Sequence, residues 1–263
     1  MILQPRDHLI LHSLAHFGIL SSTQVMHIHF KGIAHTTMMK RLRVLAKERF
    51  IIKVMGLPKS ECAWSLSKKG AEAIQGEAPN SYNNQNIVVH EVELTNVRLA
   101  LEKMGLGQEF TSEMTLRRGE NEREARKLTD KTNVPDGIFL GEFTDGFGMV
   151  ALEVELHPKN HARYEKVFND YAGKTSLKYV WYLVSESGIG NTVIAQWKKV
   201  DHYKDSPKLL VSLLPELKTK LTDTTIYTTA TKKKIPEIFK IESHLLSENK
   251  ISTPVTPQSM STS

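Results

Sequence analysis

The chain has 263 residues, 40% of them hydrophobic, which is enough for one large domain or two small ones with ordinary cores. A single cysteine, Cys62, excludes an internal disulfide framework and a multi-cysteine zinc site, and no apolar run approaches membrane-spanning length. The net charge of +6 sits wholly in the first third, because residues 1–78 carry 11 Lys and Arg against 5 Asp and Glu, whereas residues 79–263 carry 24 of each.

That asymmetry points to a polyanion partner for the N-terminal segment. The first residues do not read as a signal peptide, so a cytoplasmic location and no membrane partner are expected. In chain order, Arg6 to Phe17 is predicted helical, with Ile10, Leu14 and Phe17 on one face. Ser21-Ser22-Thr23 offers a cap for a short helix over Gln24–Phe30. A third helix, His35 to Glu48, places Met38, Leu42 and Leu45 at i, i+4 and i+7, with Thr36, Lys40, Arg43 and Lys47 on another stripe. A strand over Phe50–Met55, a turn at Gly56 and Pro58, and a returning strand ending in Cys62–Leu66 complete a hairpin.

Three short helices followed by a hairpin is the order of a winged helix-turn-helix. The run Trp64-Ser-Leu-Ser-Lys-Lys-Gly70-Ala-Glu-Ala-Ile74 resembles the closing segment of many bacterial winged-helix proteins. That resemblance implies a third helix in the major groove of double-stranded DNA. Thr36, Thr37, Lys40, Arg41, Arg43 and Lys47 would then face the DNA, and Lys53 and Lys59 would add phosphate contacts from the wing. A solvated basic helix face is the bland alternative. His8, His12 and His16, and likewise His27 and His29, lack a Cys or acidic partner and read as surface residues rather than ligands.

The organisation expected along the chain is a DNA-binding domain over 1–78, a linker over 79–86, an α/β domain over 87–205, a helical extension over 206–246 and a disordered tail over 247–263. Within the α/β domain a long helix runs from about Ile87 to Met104. Glu109–Arg117 reads as a strand and Gly119–Asn133 as a charged loop. Val134–Leu140 and Phe147–His157 form a strand pair, and Asn160–Tyr171 is a helix. Leu177–Val184 is a central strand and Gly190–Trp197 a further strand. The fold class expected is therefore mixed α+β or α/β, a winged helix followed by a mixed-sheet domain.

The chemistry concentrates in Pro135-Asp136-Gly137 and in Met149-Val-Ala-Leu-Glu153-Val-Glu155-Leu-His157. Alternation puts Val150, Leu152, Val154 and Leu156 on one face and Glu153, Glu155 and His157 on the other. Neighbouring carboxylates on one face repel, so they require solvent or a shared cation. Glu93, near the middle of the apolar arc of the long helix, likewise needs a partner.

An acid on a first helix, Pro-Asp on one strand and Glu-x-Glu on the next are similar to the PD-(D/E)xK nuclease superfamily. That resemblance implies Mg²⁺ or Mn²⁺ held by Asp136, Glu153 and Glu155, with Glu93 as an outer ligand. The usual lysine, two residues after the strand carboxylate, is Glu155 or His157 here, which leaves Lys159 or Lys166 to supply the positive charge. The longer string Ala151-Leu-Glu153-Val-Glu155-Leu-His-Pro-Lys159, Arg163-Tyr164…Tyr171 and the helix His90–Glu102 resemble the replication-relaxation family of bacterial mobile elements. The resemblance implies a plasmid-associated role in replication, mobilisation or DNA relaxation, with a relaxase or replication protein as partner and a homodimer kept open. A metal-dependent DNA endonuclease is one reading. The alternative is a non-catalytic accessory factor, or a transcriptional regulator, that uses the nuclease-like fold as a scaffold.

Overall fold

The computed structural model describes residues 2–57, 61–77, 84–118, 133–200 and 205–241. It is a mixed α and β protein with two compact units, Met1–Val97 and Arg98–Ser263. Lys59, residues 79–83 of the expected linker, residues 119–132 of the expected charged loop and the tail 247–263 lie outside the described residues. Among the described residues no helix is long and apolar enough to cross a membrane.

The first unit contains α1 (Pro5–Phe17), β1 (Ile19–Ser21), α2 (Ser22–His29), α3 (His35–Lys47), β2 (Ile51–Val54), β3 (Ala63–Leu66) and α4 (Lys68–Ala73). The strands pair antiparallel in the order β1-β3-β2. Ser21 caps α2 by accepting from the Gln24 N–H, and Gln24 returns the bond to the Ser21 N–H, which satisfies two donors at the helix start. Met38, Leu42 and Leu45 of α3 are fully buried against Ile10, Leu14 and Trp64. Each such side chain contributes roughly 1.5–3 kcal/mol of burial. Ser67 caps α4 and donates to the carbonyls of Arg49 and Phe50. A Cβ on Gly70 would stand 2.0 Å from the Phe50 carbonyl oxygen, so the serine and glycine of this run are there for close packing.

The helix α5 (Gln85–Lys103) contains the division between the units. Its Val88 and Val92 pack with Ile19, Val54 and Ala63 in the first unit, which extends that unit past the boundary expected at residue 87.

The second unit adds β4 (Gln108–Ser112), α6 (Glu113–Arg118), β5 (Gly137–Phe143), β6 (Gly146–Glu155), α7 (His161–Ala172), β7 (Leu177–Val184), α8 (Ser187–Trp197), β8 (Lys208–Leu213), α9 (Leu214–Lys220), β9 (Thr225–Tyr227) and β10 (Lys232–Lys234). The seven strands form one mixed sheet in the order β10-β9-β8-β7-β6-β5-β4. β6, β7 and β8 run parallel, and the remaining pairs are antiparallel.

Three expectations are corrected. Gly190–Trp197 is not a strand but the greater part of α8, whose buried residues Ile189, Val193, Gln196 and Trp197 follow helical spacing. Glu109–Arg117 is not one strand, because Ser112 accepts from the Thr115 N–H and opens α6 after β4. Of the helical extension expected over 206–246, the described part to residue 241 is not helical throughout, since it supplies β8, β9 and β10 to the sheet.

One face of the sheet, carrying Ala151, Val180, Tyr182, Val184, Leu209 and Val211, packs against α7 and α8 through Tyr164, Phe168, Tyr171, Val193 and Trp197. On the other face Trp181 stacks on Phe239, which also meets Phe139 and Phe143. The last strand, β10, is exposed along all three of its lysines.

Candidate functional site

Glu153 and Glu155 share the parity of Ala151, so they lie on the sheet face covered by α7, at the C-terminal end of β6. The alternation is as expected, but both faces of β6 are covered and the carboxylates are not solvated. Glu153 is 5% and Glu155 4% exposed.

Asp136 immediately precedes Gly137, the residue paired with Leu152, and its carboxylate accepts from the Val154 N–H at 2.7 Å. Gly137 is required here because a Cβ would stand 2.2 Å from the Phe110 ring, on which the Arg98 guanidinium stacks at 4.6 Å. Lys159 lies on the turn between β6 and α7. Its backbone N–H donates to the Tyr164 hydroxyl at 3.2 Å, and its ammonium forms an ion pair with Glu155.

Two residues that the sequence reading did not single out hold Glu153 in place. Tyr171 donates its hydroxyl to the Oε1 atom of Glu153, and the Asn133 amide donates to the same oxygen at 2.8 Å. Asn133 is itself fixed by Asp170, which accepts its backbone N–H at 3.0 Å, and by Lys174, which donates to its carbonyl at 2.7 Å. Tyr182, opposite Glu153 on β7, is fully buried, and its hydroxyl has no hydrogen-bond partner. Nothing in a polar loop marks Asn133 in the sequence, and Tyr182 reads as an ordinary core aromatic. Tyr171 stands in the string Arg163-Tyr164…Tyr171 that carries the family resemblance, but nothing there gives it a role at Glu153.

The electrostatics follow from crowding. Burial, followed by the charge of Asp136, pushes the Glu153 carboxyl up to about 7, against the pull of Lys159 and the hydrogen bonds from Tyr171 and Asn133. Burial also raises Glu155, with Lys159 opposing. Burial alone would lower the Lys159 ammonium, but Glu153 and Glu155 outweigh it and raise it. Tyr171 and Tyr182 are held well above the ordinary range by burial and then by the Glu153 charge.

The other expected residues lie elsewhere. Lys166 is exposed on α7. Glu93 belongs to the first unit, where Asn96 donates to it at 3.2 Å and Gln24 in turn donates to Asn96 at 2.8 Å. There it lines a cleft of about 430 Å³ with Ser21, Glu61 and Val92.

Thr36, Thr37, Lys40, Arg43 and Lys47 are exposed on α3, and Lys53 is exposed on β2. Arg41 departs from that face and turns inward. Its guanidinium grips the buried Asp7 of α1 at both carboxylate oxygens, with one contact at 2.7 Å. The Lys69 ammonium sits on the C-terminal end of α3, donating to the Glu48 carbonyl at 2.8 Å.

Among the described residues no group of three or more His, Cys, Asp or Glu side chains is arranged to hold a metal ion. The donor chemistry at the end of β6 nevertheless fits a hard divalent cation. Asp136, Glu153 and Glu155 offer only oxygen, the Lys159 ammonium pairs with Glu155, and the buried Tyr182 hydroxyl is unpartnered. No protein-family profile, curated protein or solved structure matches the chain.

Proposed function

We propose that the protein is a DNA-binding protein of a plasmid or other mobile element, similar to the replication-relaxation family, with a metal-dependent endonuclease centre in its second unit. The observation that carries the reading is the convergence of Asp136, Glu153, Glu155 and Lys159, from three separate segments, on one buried stretch of sheet.

The first unit reads as a winged helix-turn-helix, with α3 entering the major groove and Lys53 contacting phosphate from the hairpin. The exposed threonines and basic residues of α3 support that reading. The order of β4, α6, β5 and β6 in an antiparallel run, then α7 and the parallel strand β7, supports a PD-(D/E)xK-like second unit.

Asp136, Glu153 and Glu155 would hold Mg²⁺ or Mn²⁺. The cation would supply charge to polarise a phosphodiester and to lower the pKa of a water molecule. Lys159 brings a permanent positive charge to the same place. Tyr171 and Asn133 fix one oxygen of Glu153 and leave the carboxyl group able to exchange a proton near neutral pH.

Incubating supercoiled plasmid with the protein in Mg²⁺, Mn²⁺ or EDTA tests this reading. Nicking in either metal, absent in EDTA and reduced at least about 100-fold by Glu153→Gln, is the expected result. DNA bound but left intact in every buffer overturns the endonuclease. One observation favours the non-catalytic accessory role as second reading: the Lys159 ammonium already neutralises Glu155, so that carboxylate has a partner without a metal.

A further inference from the structure

The acidic cluster carries a cation of its own. β6 ends at Glu155, and the following turn folds Lys159 back so that its ammonium rests on the Glu155 carboxylate. The turn is fixed at several points. Tyr164 accepts the Lys159 backbone N–H, Asn160 caps α7 through the Arg163 N–H at 2.9 Å, and Ser185 donates its hydroxyl to the Leu156 carbonyl at 2.9 Å. The Lys159 side chain is only 17% exposed and the Glu155 side chain 5%, so the pair is sheltered rather than a surface contact. The ammonium also lies 6.0 Å from the centre of the Tyr182 ring.

The buried hydroxyl of Tyr182, opposite Glu153, is the second, independent sign of a ligand. It is a buried polar atom beside the acids, and it has no hydrogen-bond partner.

We propose that Lys159 is the resident counter-ion of this site and that a divalent cation enters by displacing its ammonium from Glu155, which frees the ammonium for a phosphate oxygen of the DNA. The proposal rests on the nuclease-like reading of the site. Ammonium and metal compete for one carboxylate, and two cations in a sheltered space repel, so each weakens the hold of the other on Glu155. Lys159 therefore weakens cation binding in the absence of DNA, and the site fills most readily when phosphate is present to receive the lysine.

Isothermal titration with MnCl₂ on the full chain, without DNA, tests this by comparing the wild type with Lys159→Gln and Lys159→Arg. Lys159→Gln is expected to bind Mn²⁺ roughly tenfold more tightly or better, because the competitor is gone. Its melting temperature in EDTA should fall and should recover more on adding Mn²⁺ than that of the wild type. Lys159→Arg, which keeps the charge and can grip a carboxylate at two points, is expected to bind no more tightly than the wild type. If Lys159→Gln does not fold, the arginine variant decides, and tighter binding by it overturns the proposal. Equal or weaker binding by a folded Lys159→Gln, with measurable binding by the wild type, overturns the resident counter-ion alone. Absence of Mn²⁺ binding in all three proteins overturns the metal-site reading beneath it.

Discussion

Each unit buries acid against a basic side chain, with opposite electrostatic results. In the first, Asp7 is 1% exposed and faces one guanidinium, that of Arg41, while the Gln4 N–H also donates to it at 2.7 Å. Burial works to raise Asp7, but the bonds from Arg41 and Gln4 outweigh it, and its pKa falls. In the second unit Glu153 lies deep in the interior beside the charge of Asp136, with Lys159 opposing, and it rises to about 7. Glu153 suffers the stronger burial and a neighbouring negative charge, whereas Asp7 has a guanidinium and a backbone N–H to itself, and both differences push in the same direction. The paired acid acts as a structural clamp, and the crowded one is a candidate for ligand binding.

The largest test of that contrast is pH. Glu153 titrates near 7 in the folded chain against an ordinary value of 4.5, so the folded state holds its proton more tightly than the unfolded state. Its contribution is complete below about 4.5 and is lost as pH rises through about 7, amounting to about 3 kcal/mol. In EDTA, denaturant melts of the second unit followed by hydrogen exchange should weaken over that interval, and Glu153→Gln should reduce the slope, leaving the part due to Glu155, and be the more stable protein at pH 8. Asp7 acts with the opposite sign. Its stabilisation is present above its ordinary 3.8 and is lost only as pH falls below that value, and His29, held below its ordinary 6.5 by burial and then by Arg6, makes the first unit lose stability as pH falls below about 6.5, the direction opposite to that of the second.

A smaller effect is expected from Asp7→Ala. It strands a guanidinium that is 23% exposed and removes an N-terminal helix cap, so a cost of about 2 kcal/mol is expected, discounted for the partial exposure. The first unit should then melt roughly 10 °C lower by calorimetry. Tyr171→Phe should cost about 1 kcal/mol and move the upper limit of the Glu153 window to higher pH, which the same series of melts would detect. The smallest change in stability, within about 0.5 kcal/mol, should follow Lys40→Ala on the exposed face of α3. If α3 meets DNA, that variant should instead lower the slope of log affinity against log salt by about 1 in a filter-binding or anisotropy titration. Arg41→Ala should do the reverse, reducing stability more than the salt slope.

These contrasts also mark what could be read from residue order. The i, i+4, i+7 stripe of Met38, Leu42 and Leu45 and the two-residue alternation through Glu153 and Glu155 depend on local geometry, and both appear as expected. Whether a face is covered depends on what packs over it. Nothing in β6 itself announces that α7 lies over its acids. The inward turn of Arg41 and the reach of Asn133 to Glu153 span 34 and 20 residues, distances at which spacing carries no signal. The apolar, β-branched run in α8 imitates a strand, and only its burial at Ile189, Val193 and Trp197 shows the helical period. β8 was lost in a region that read as patchily helical, although Leu209, Leu210 and Val211 form a short buried strand.

The lysine-lined strand β10 has a consequence for self-association. Among the described residues β10 ends the sheet; such a strand offers unpaired peptide groups to another chain, and a second copy pairing along it would bring two rows of ammonium groups face to face. Growth of the sheet into filaments is thereby resisted at the exposed β10 edge. Acetylation of Lys232, Lys233 and Lys234 with a reagent such as acetic anhydride would remove that repulsion and turn a soluble edge into an adhesive one.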